Sequence, residues 1–378
     1  MNFDDNEEQQ LLAASIARFV ERDYAFATRR TIVASDDGHS SEVWKTLAEL
    51  GLLGLPLPSD FGGFGGGAVD AMPVMEAVGE ALIVEPYLST VGLGAQFVAR
   101  AGTLAQKQRV LPAVAEGRTM LAFAQTEIGS RYNLAHVATR ARRTGDGDYV
   151  IDGEKRVVIH CPMADLLVVS ARTDGEVESA DGIRLFLVDP ARPGITQRNY
   201  RTLDSLRAAD IVFKNVRVPA DALLGDEPDG LALVEEVVDY ATALVCAEAV
   251  GAIRYANDAS LEYLKTHKQF GVPIGAFQAL QHRMVDMVIE YEQAKSMASL
   301  ACASVDAETN PDARKRVVSA AKVRIAEACR HVSQEAIQLH GGMGMSDEIK
   351  ISHTFRRLTM IAQQFGDAEH HLERFANV

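Results

Sequence analysis

The chain has 378 residues, of which 47% are apolar and 24% are charged, and its formal net charge is −14. This composition is typical of a folded globular protein and excludes a disordered or collagen-like chain. The acidic balance argues against nucleic acid as a partner, because phosphate backbones are bound by clustered Lys and Arg.

Cysteine usage and the first twenty residues indicate the compartment. The four cysteines, Cys161, Cys246, Cys302 and Cys329, form no Cys-x-x-Cys pair, and we expect buried, reduced thiols. The segment "MNFDDNEEQQLLAASIARFV" is acidic and then amphipathic, whereas a secretory signal begins with positive charge before an apolar stretch. No run is long and apolar enough to span a bilayer. We therefore expect a cytoplasmic protein that does not associate with membranes.

Residues 1–118 have a helical pattern. Apolar residues recur at helical spacing near the start, at Leu11, Leu12, Ile16, Phe19 and Val20. The stretch "SSEVWKTLAELGLLGL" predicts a helix with a Ser cap that closes at Gly51. The glycines of "PSDFGGFGGG" are not followed by the Lys-Ser/Thr of a P-loop, so they predict a tight turn rather than a phosphate cradle.

Residues 119–222 have a β pattern. Short apolar runs such as "DLLVVSART", "IRLFLVD" and "DIVFKNVRV" are separated by turn signals such as "TGDGD" and "DPARPG". Regular short strands without intervening helices predict an antiparallel barrel or sandwich.

Residues 223–378 are again helical, with three long apolar-periodic segments, one of which opens with Pro near its first turn. Long antiparallel helices of this kind predict a bundle. The length exceeds what one hydrophobic core usually serves. The predicted organisation is therefore an N-terminal helical domain (1–118), a β domain (119–222) and a C-terminal helical bundle (223–378).

Four segments in this order resemble the acyl-CoA dehydrogenase family. They are "AQTEIG" (124–129), "DGEKRVVIH" (152–160), "YLKTHKQFGVPIGAFQALQHRMVDM" (263–287) and "QLHGGMGM" (338–345). The likeness covers nearly the whole chain and includes the family's domain plan. Within the family the chain is most similar to small subunits of pimeloyl-CoA dehydrogenase type, through "CAEAVGA", "FGDA" and the Arg-Tyr after the Thr-Glu pair.

The resemblance implies an FAD-dependent enzyme that desaturates an acyl-CoA thioester between its α and β carbons. It implies a glutamate base, since a desolvated carboxylate can remove the weakly acidic α proton. It also implies an electron-transfer acceptor protein and a tetramer containing self or a second homologue.

The resemblance assigns eight residues to the FAD site: Thr126, His267, Phe270, Gln278, Gln338, Gly341, Gly342 and Gly366. His267 stands where the family usually has Arg, so it is either a weaker phosphate partner or a surface histidine. Arg131 is either a partner of a phosphate or substrate carboxylate or, more commonly for such a residue, part of a surface salt bridge.

Two further contacts expected at the flavin are absent by the same comparison. Val157 stands where an aromatic residue usually packs against the flavin, and Ile159 stands where a Thr often donates to it. Lys155 is retained, and we expect a charge at the edge of a strand.

The stretch "QQFGDAEHH" aligns Phe365 with the family's glutamate, Gly366 with its turn and Asp367 with its Thr. Asp367 is expected to cap a helix. Adjacent His370 and His371 point about 100° apart on a helix, so no shared metal site is predicted.

The alternative position for the base in this family falls on Ala241. Asp239 is the nearest substitute, yet two residues turn it about 200° around the helix. A solvent-facing or capping role is expected for both Asp239 and Glu248.

Three functional hypotheses remain open. The first is the base-lacking subunit of a heteromeric acyl-CoA dehydrogenase. The second is a self-sufficient homomeric enzyme with a displaced base, and the third is a non-catalytic scaffold of the same fold.

Overall fold

The computed structural model describes residues 7–226 and 230–378. These residues form two compact units built from discontinuous segments. The first unit contains the described residues up to Thr31, Ala68–Val84 and Thr242–Val378, and the second contains Ile32–Gly67 and Glu85–Ala241. The predicted boundaries after residues 118 and 222 follow changes of pattern along the chain and stay a prediction.

The helices of the described chain are α1 (Glu7–Asp23), α2 (Phe26–Ala34), α3 (Ser41–Glu49), α4 (Ala68–Ala81), α5 (Ala95–Ala101), α6 (Leu104–Ala115), α7 (Gly230–Thr266), α8 (Gln278–Ala307), α9 (Pro311–His340), α10 (Lys350–Gln363) and α11 (Ala368–Ala376). Ser40 caps α3 by accepting from the Val43 N–H, and Asn310 caps α9 ahead of Pro311. The predicted Ser cap of α3 and the predicted proline in the first turn of α9 are confirmed.

In the first unit, α8, α10 and α11 pack against α9. The helices meet through small residues, because Ala and Gly allow close approach. Gly79 of α4 lies against the Glu248 carbonyl of α7, and Gly251 of α7 lies against the Glu76 carbonyl of α4. The predicted helical bundle is confirmed, and no helix among the described residues is both long and apolar enough to cross a membrane.

The strands are β1 (Leu121–Ala124), β2 (Arg140–Arg143), β3 (Tyr149–Ile159), β4 (Leu166–Arg172), β5 (Ile183–Val188), β6 (Ile195–Arg201), β7 (Arg207–Val218), β8 (Lys268–Gln269) and β9 (Val272–Pro273). The first seven form one sheet in the second unit, in the order β1-β4-β2-β3-β7-β6, with β5 beside β4. The last two form a separate hairpin in the first unit.

The large sheet is mixed rather than wholly antiparallel. β1 runs parallel to β4, and β2 meets β4 in parallel through Arg140 and Arg172, while the other pairs are antiparallel. The chain passes through β2 and β3 before β4 returns beside β1, and such a crossover gives a parallel pair. A buried apolar cluster that includes Ile151, Phe186 and Phe213 lies within this sheet.

The predicted tight turn and the predicted thiols are both confirmed. In the Gly-rich loop, Gly62 and Gly65 have φ of 84° and 72°, and the N–H groups of Gly63 and Gly65 donate to Pro58 and Leu57. All four cysteines are buried and free.

Replacing Gly79 with Ala will destabilise the first unit. A methyl group there would overlap the Glu248 carbonyl, and backbone cannot move aside as a flexible side chain can. We expect the free energy of unfolding to fall by about 2 kcal/mol or more, measured by urea denaturation. Gly145→Ala is the control, since nothing lies within 4 Å of its added methyl group. Equal stability of the two variants would contradict this packing.

Candidate active site

The bend between α10 and α11 is the part of the first unit to which the resemblance assigns the catalytic glutamate. Phe365 has φ of 60° and Gly366 has φ of 125°, both in the left-handed region. Asp367 then caps α11, its carboxylate accepting from the His370 N–H at 2.9 Å. The predicted bend and capped helix are therefore confirmed, and the Asp367 carboxylate is engaged with the backbone.

A buried lysine donates hydrogen bonds to the backbone of this bend. Lys322 of α9 is fully buried, and its ammonium donates to the carbonyls of Ala362 at 3.2 Å and Gly366 at 2.7 Å. Burial lowers the pKa of Lys322, because it penalises the charged form. The carbonyl of Ala362 belongs to the last turn of α10, where such groups lack partners within the helix. Lys322 thus fixes the end of α10 to the bend.

A buried histidine also contacts the backbone of this bend. His371 Nε2 lies 3.0 Å from the Phe365 carbonyl, and Nδ1 lies 3.3 Å from the Ser319 hydroxyl. A carbonyl only accepts, so Nε2 carries the proton and Nδ1 faces the hydroxyl as acceptor. Burial, aided by the charge of Lys322, lowers the pKa of His371 to about 3. The ring is therefore neutral at physiological pH.

Gly366 is required by this arrangement. A side chain at residue 366 would run into the rings of His370 and His371, and its φ of 125° strains any L-residue. The two rings lie edge to face with centroids 5.1 Å apart. Among the described residues, no group of three or more His, Cys, Asp or Glu side chains is placed to hold a metal ion.

The alternative position for the base carries no carboxylate either. Ala241 is fully buried within α7. The expected solvent-facing or capping role for Asp239 and Glu248 is wrong, since their side chains are 1% and 3% exposed. Both acids lie within the 37-residue helix α7. The local sequence does not show that the surroundings of these two acids bury them.

Glu248 is instead half of a buried ion pair. The Arg357 guanidinium of α10 donates to its two carboxylate oxygens at 2.5 and 2.7 Å. Arg357 also reaches the side chain of Gln364 at 3.4 Å, next to Phe365. This two-point geometry explains how both charges tolerate burial. It links α7 to the residue that precedes the bend.

The residues assigned to the adenosine and pyrophosphate end of FAD lie on an exposed surface of the first unit. Phe270 sits at the tip of the β8–β9 hairpin, is 90% exposed and has φ of 55°. Gln278 begins α8 and is exposed. Gln338 lies in the last turn of α9, Gly341 and Gly342 follow that helix, and all three are exposed. Added methyl groups at the two glycines would meet nothing within 4 Å, so a ligand can approach their backbone.

His267 belongs to a stack of three rings. Its imidazole lies parallel to the Tyr263 ring at 4.7 Å, and Tyr263 stacks on His340 at 4.5 Å. His340 is buried, and burial lowers its pKa. His267 is only partly exposed, so its ring is positioned by stacking rather than free at the surface.

The residues assigned to the flavin end lie on the sheet of the second unit. Thr126 is exposed, and its carbonyl accepts from the Arg156 N–H at 2.8 Å, which sets it beside Val157. Val157 and Ile128 are 47% and 70% exposed, whereas Ile159 is partly buried. The Arg131 guanidinium lies over the Tyr132 ring at 5.5 Å. An exposed apolar strip with a threonine suits a flat, largely apolar ring.

The expectation that Lys155 is a strand-edge charge is wrong. Its side chain is fully buried, and its ammonium donates to Glu127 at 2.7 Å and to the Ser170 hydroxyl at 2.8 Å. Glu127 also accepts from the N–H groups of Ala138 and Thr139. The Lys155 ammonium also donates to the carbonyl of Gln125, the residue before Thr126, at 3.2 Å. Lys155 therefore lies in the core next to Thr126. Burial lowers the pKa of Lys155 to about 8, even beside this carboxylate.

Sequence reasoning missed Lys322, Arg357 and Asp210 as supports of these surfaces. Each is a common charged residue whose partner lies on another element. The sequence carries only a weak signal for them, namely a charged residue within an apolar-periodic stretch.

Substituting His371 with Asn will flatten the pH dependence of stability. The unfolded histidine has a pKa of about 6.5, and the folded one has a pKa of about 3. The unfolded chain thus binds more protons between these values, so stability is full above about pH 6.5 and falls by up to about 1.4 kcal/mol per pH unit below it.

The measurement is urea denaturation near pH 7, 6 and 5. We expect a shallower decline for His371→Asn than for the unsubstituted protein, because the titrating ring is gone. His282→Asn, at an exposed position, is the matched control and should keep the original slope. A decline unchanged in His371→Asn would mean that this ring is not buried neutral.

Comparison with known proteins identifies the family. Residues 6–118 match the acyl-CoA dehydrogenase N-terminal domain, residues 122–216 the middle domain and residues 228–378 the C-terminal domain. The chain is 31% identical over 374 residues to a probable acyl-CoA dehydrogenase, YngJ, of Bacillus subtilis, an alignment that covers 98% of this chain and 97% of that protein.

Two solved structures are similar over almost their whole length. A Tcur3481-Tcur3483 steroid ACAD variant has a TM-score of 0.88 and 28% identity, covering 98% of this chain and 97% of its own. The ChsE4-ChsE5 complex from Mycobacterium tuberculosis has a TM-score of 0.90 and 25% identity, covering 100% of this chain and 98% of its own. The chain therefore belongs to the acyl-CoA dehydrogenase family of FAD-dependent oxidoreductases that act on CH–CH bonds, as the sequence predicts.

Proposed function

We propose that this chain is the base-lacking subunit of a heteromeric acyl-CoA dehydrogenase. The observation that carries the proposal is Phe365, an apolar residue on a bend whose backbone is otherwise intact. The resemblance assigns the glutamate base to this position. Its other family position is Ala241, which is apolar and buried.

The side chains of Asp367, Glu248 and His371 are committed to other partners. Asp367 accepts from the His370 N–H, and Glu248 is paired with Arg357. The Arg357 guanidinium occupies both carboxylate oxygens of Glu248. His371 does not replace them, since its Nε2 proton is donated to the Phe365 carbonyl and its Nδ1 faces Ser319.

The exposed surfaces fit FAD. In this proposal Thr126 and Val157 meet the flavin ring, and Phe270, Gln278, Gln338, Gly341 and Gly342 meet the adenosine and pyrophosphate of an FAD shared with a neighbouring subunit. The Gly341 N–H donates to the Gln338 carbonyl, and the open space over Gly341 and Gly342 lets a phosphate approach the backbone at this turn. His267 contributes a stacked imidazole where a guanidinium is usual, so we expect weak FAD binding by the isolated chain. When bound, FAD accepts the hydride that leaves the β carbon of the thioester.

In this proposal the bend shapes the surroundings of the substrate and does not remove the α proton. Phe365 offers an apolar wall and excludes water from its surroundings, and Lys322 and His371 keep its backbone in place. The similar ChsE4-ChsE5 complex has two differently named chains, and the similar steroid ACAD carries a steroid designation. We therefore infer that the partner is a second acyl-CoA dehydrogenase homologue that retains its glutamate and that the substrate is a bulky or functionalised acyl-CoA. An electron-transfer protein would reoxidise the flavin.

One observation favours an alternative, a self-sufficient homomeric enzyme. Asp239 is 1% exposed and lies in α7 two residues before Ala241, the alternative family position of the base. If Asp239 is the displaced base, the chain alone should bind FAD and turn over thioesters. A non-catalytic scaffold would bind no FAD in any assembly.

Expression alone and co-expression with a glutamate-bearing homologue will separate these functions. We expect little flavin absorbance near about 450 nm and no turnover for the chain alone, and both properties in the heteromer. Asp239→Asn should leave heteromer turnover unchanged, as should its control Asp258→Asn at an exposed position. Loss of turnover only in Asp239→Asn would support the displaced base and contradict our proposal. Absence of FAD from the heteromer would support the scaffold.

Restoring a carboxylate should create activity in the FAD-replete heteromer when the partner's own base has been removed. We expect Phe365→Glu to exceed Phe365→Gln by about 100-fold in turnover, the lower range for a positioned general base. Gln matches Glu in size but takes up no proton, so it controls for shape. Equal turnover of the two variants would contradict the placement of residue 365 at the α carbon.

A further inference from the structure

A strained bulge interrupts β3 at the surface assigned to the flavin. The pairing of β3 with β7 shifts register between Lys155 and Val158. Val157, within that shift, has φ of 51°. This conformation is disfavoured for any L-residue and most of all for a β-branched one. Such strain persists only where surrounding contacts hold it.

The contact that holds it comes from Asp210 on β7. One carboxylate oxygen, Oδ1, accepts from the Val157 N–H at 3.1 Å and from the Tyr200 hydroxyl at 3.0 Å. The other, Oδ2, accepts from Arg156 at 3.0 Å and from Arg198 at 2.7 Å. Both oxygens are thus fully used, and each donor except the Val157 N–H comes from a side chain.

The four donors keep the Asp210 side chain ionised. Burial by itself would raise the pKa of Asp210, but these hydrogen bonds lower it to about 2. Burial, followed by the hydrogen bond to Asp210, raises the pKa of Tyr200 to about 12. Arg198 is largely exposed, with a side chain 78% accessible, so the cluster is open on one side. Its one backbone partner is the amide of the strained residue.

We infer that Asp210 is a positioning residue, which fixes the Val157 bulge in the shape that receives the flavin ring. The inference rests on the proposed function, because it requires FAD to lie on this surface. Asp210 does not touch the reacting atoms. Its effect passes through the backbone of Val157, which sets how far the exposed apolar strip projects.

A second aspartate of the same sheet provides a matched comparison. Asp152 accepts from the N–H of Asn215 at 2.7 Å, and Asn215 has φ of 51°. It lies beside the other register shift of the β3–β7 pair, between Ile151 and Gly153. Asp152 therefore makes the same kind of contact away from Thr126 and Val157. Its substitution controls for the general loss of a bulge contact.

The experiment uses the heteromer for FAD affinity and the FAD-free chain for hydrogen exchange. Asp210→Ala should raise the FAD dissociation constant about tenfold, which corresponds to the one charge-assisted hydrogen bond that reaches the Val157 backbone. It should also speed amide exchange in a peptide spanning residues 155–160. Asp210→Asn, which keeps an acceptor oxygen, should lose less affinity. Asp152→Ala should leave FAD affinity unchanged.

Val157→Gly supplies the decisive background, because glycine adopts positive φ without strain. Asp210→Ala should change FAD affinity far less in Val157→Gly protein than in the unsubstituted protein. An equal loss in both backgrounds, or FAD affinity in Asp210→Ala no weaker than in Asp152→Ala, would overturn the inference alone. A heteromer of unsubstituted chains that binds no FAD would overturn the proposed function and this inference with it.

Discussion

The hydrogen bonds from the Lys322 ammonium to the end of α10 are the interaction on which the bend at Phe365 depends. A buried ammonium is costly unless polar groups replace its water, and here two carbonyls do so, from Ala362 and Gly366. The Ala362 carbonyl is at the negative end of the α10 dipole, where a cation is favourable. The ammonium of Lys322 and the two carbonyls thus satisfy each other's hydrogen bonding.

The bend is held through its backbone, so the side chain at residue 365 can differ while the backbone conformation is kept. Lys322, His371, Gly366 and Asp367 fix the bend through contacts in which the Phe365 side chain takes no part. Only the Phe365 carbonyl is used. The backbone of this bend is therefore compatible with a different side chain at residue 365.

The sequence predicts features whose cause is local. Asp367 caps α11 and Pro311 opens α9 because both act on the adjacent turn, and the family follows from four separated segments. The exposed positions expected for Lys155 and Glu248 are wrong because both side chains are buried against distant partners. Glu127 lies 28 residues from Lys155, and Arg357 lies 109 residues from Glu248. A buried charge and an exposed charge have the same letter, and only tertiary pairing separates them.

The two units use opposite charges for the same purpose. In the first, cationic Lys322 and neutral His371 bind carbonyls and keep Phe365 at positive φ. In the second, anionic Asp210 binds an N–H and keeps Val157 at positive φ. Strained non-glycine residues persist only where their surroundings over-determine them. Each support acts on the backbone, so the side chains of Phe365 and Val157 take no part in these hydrogen bonds.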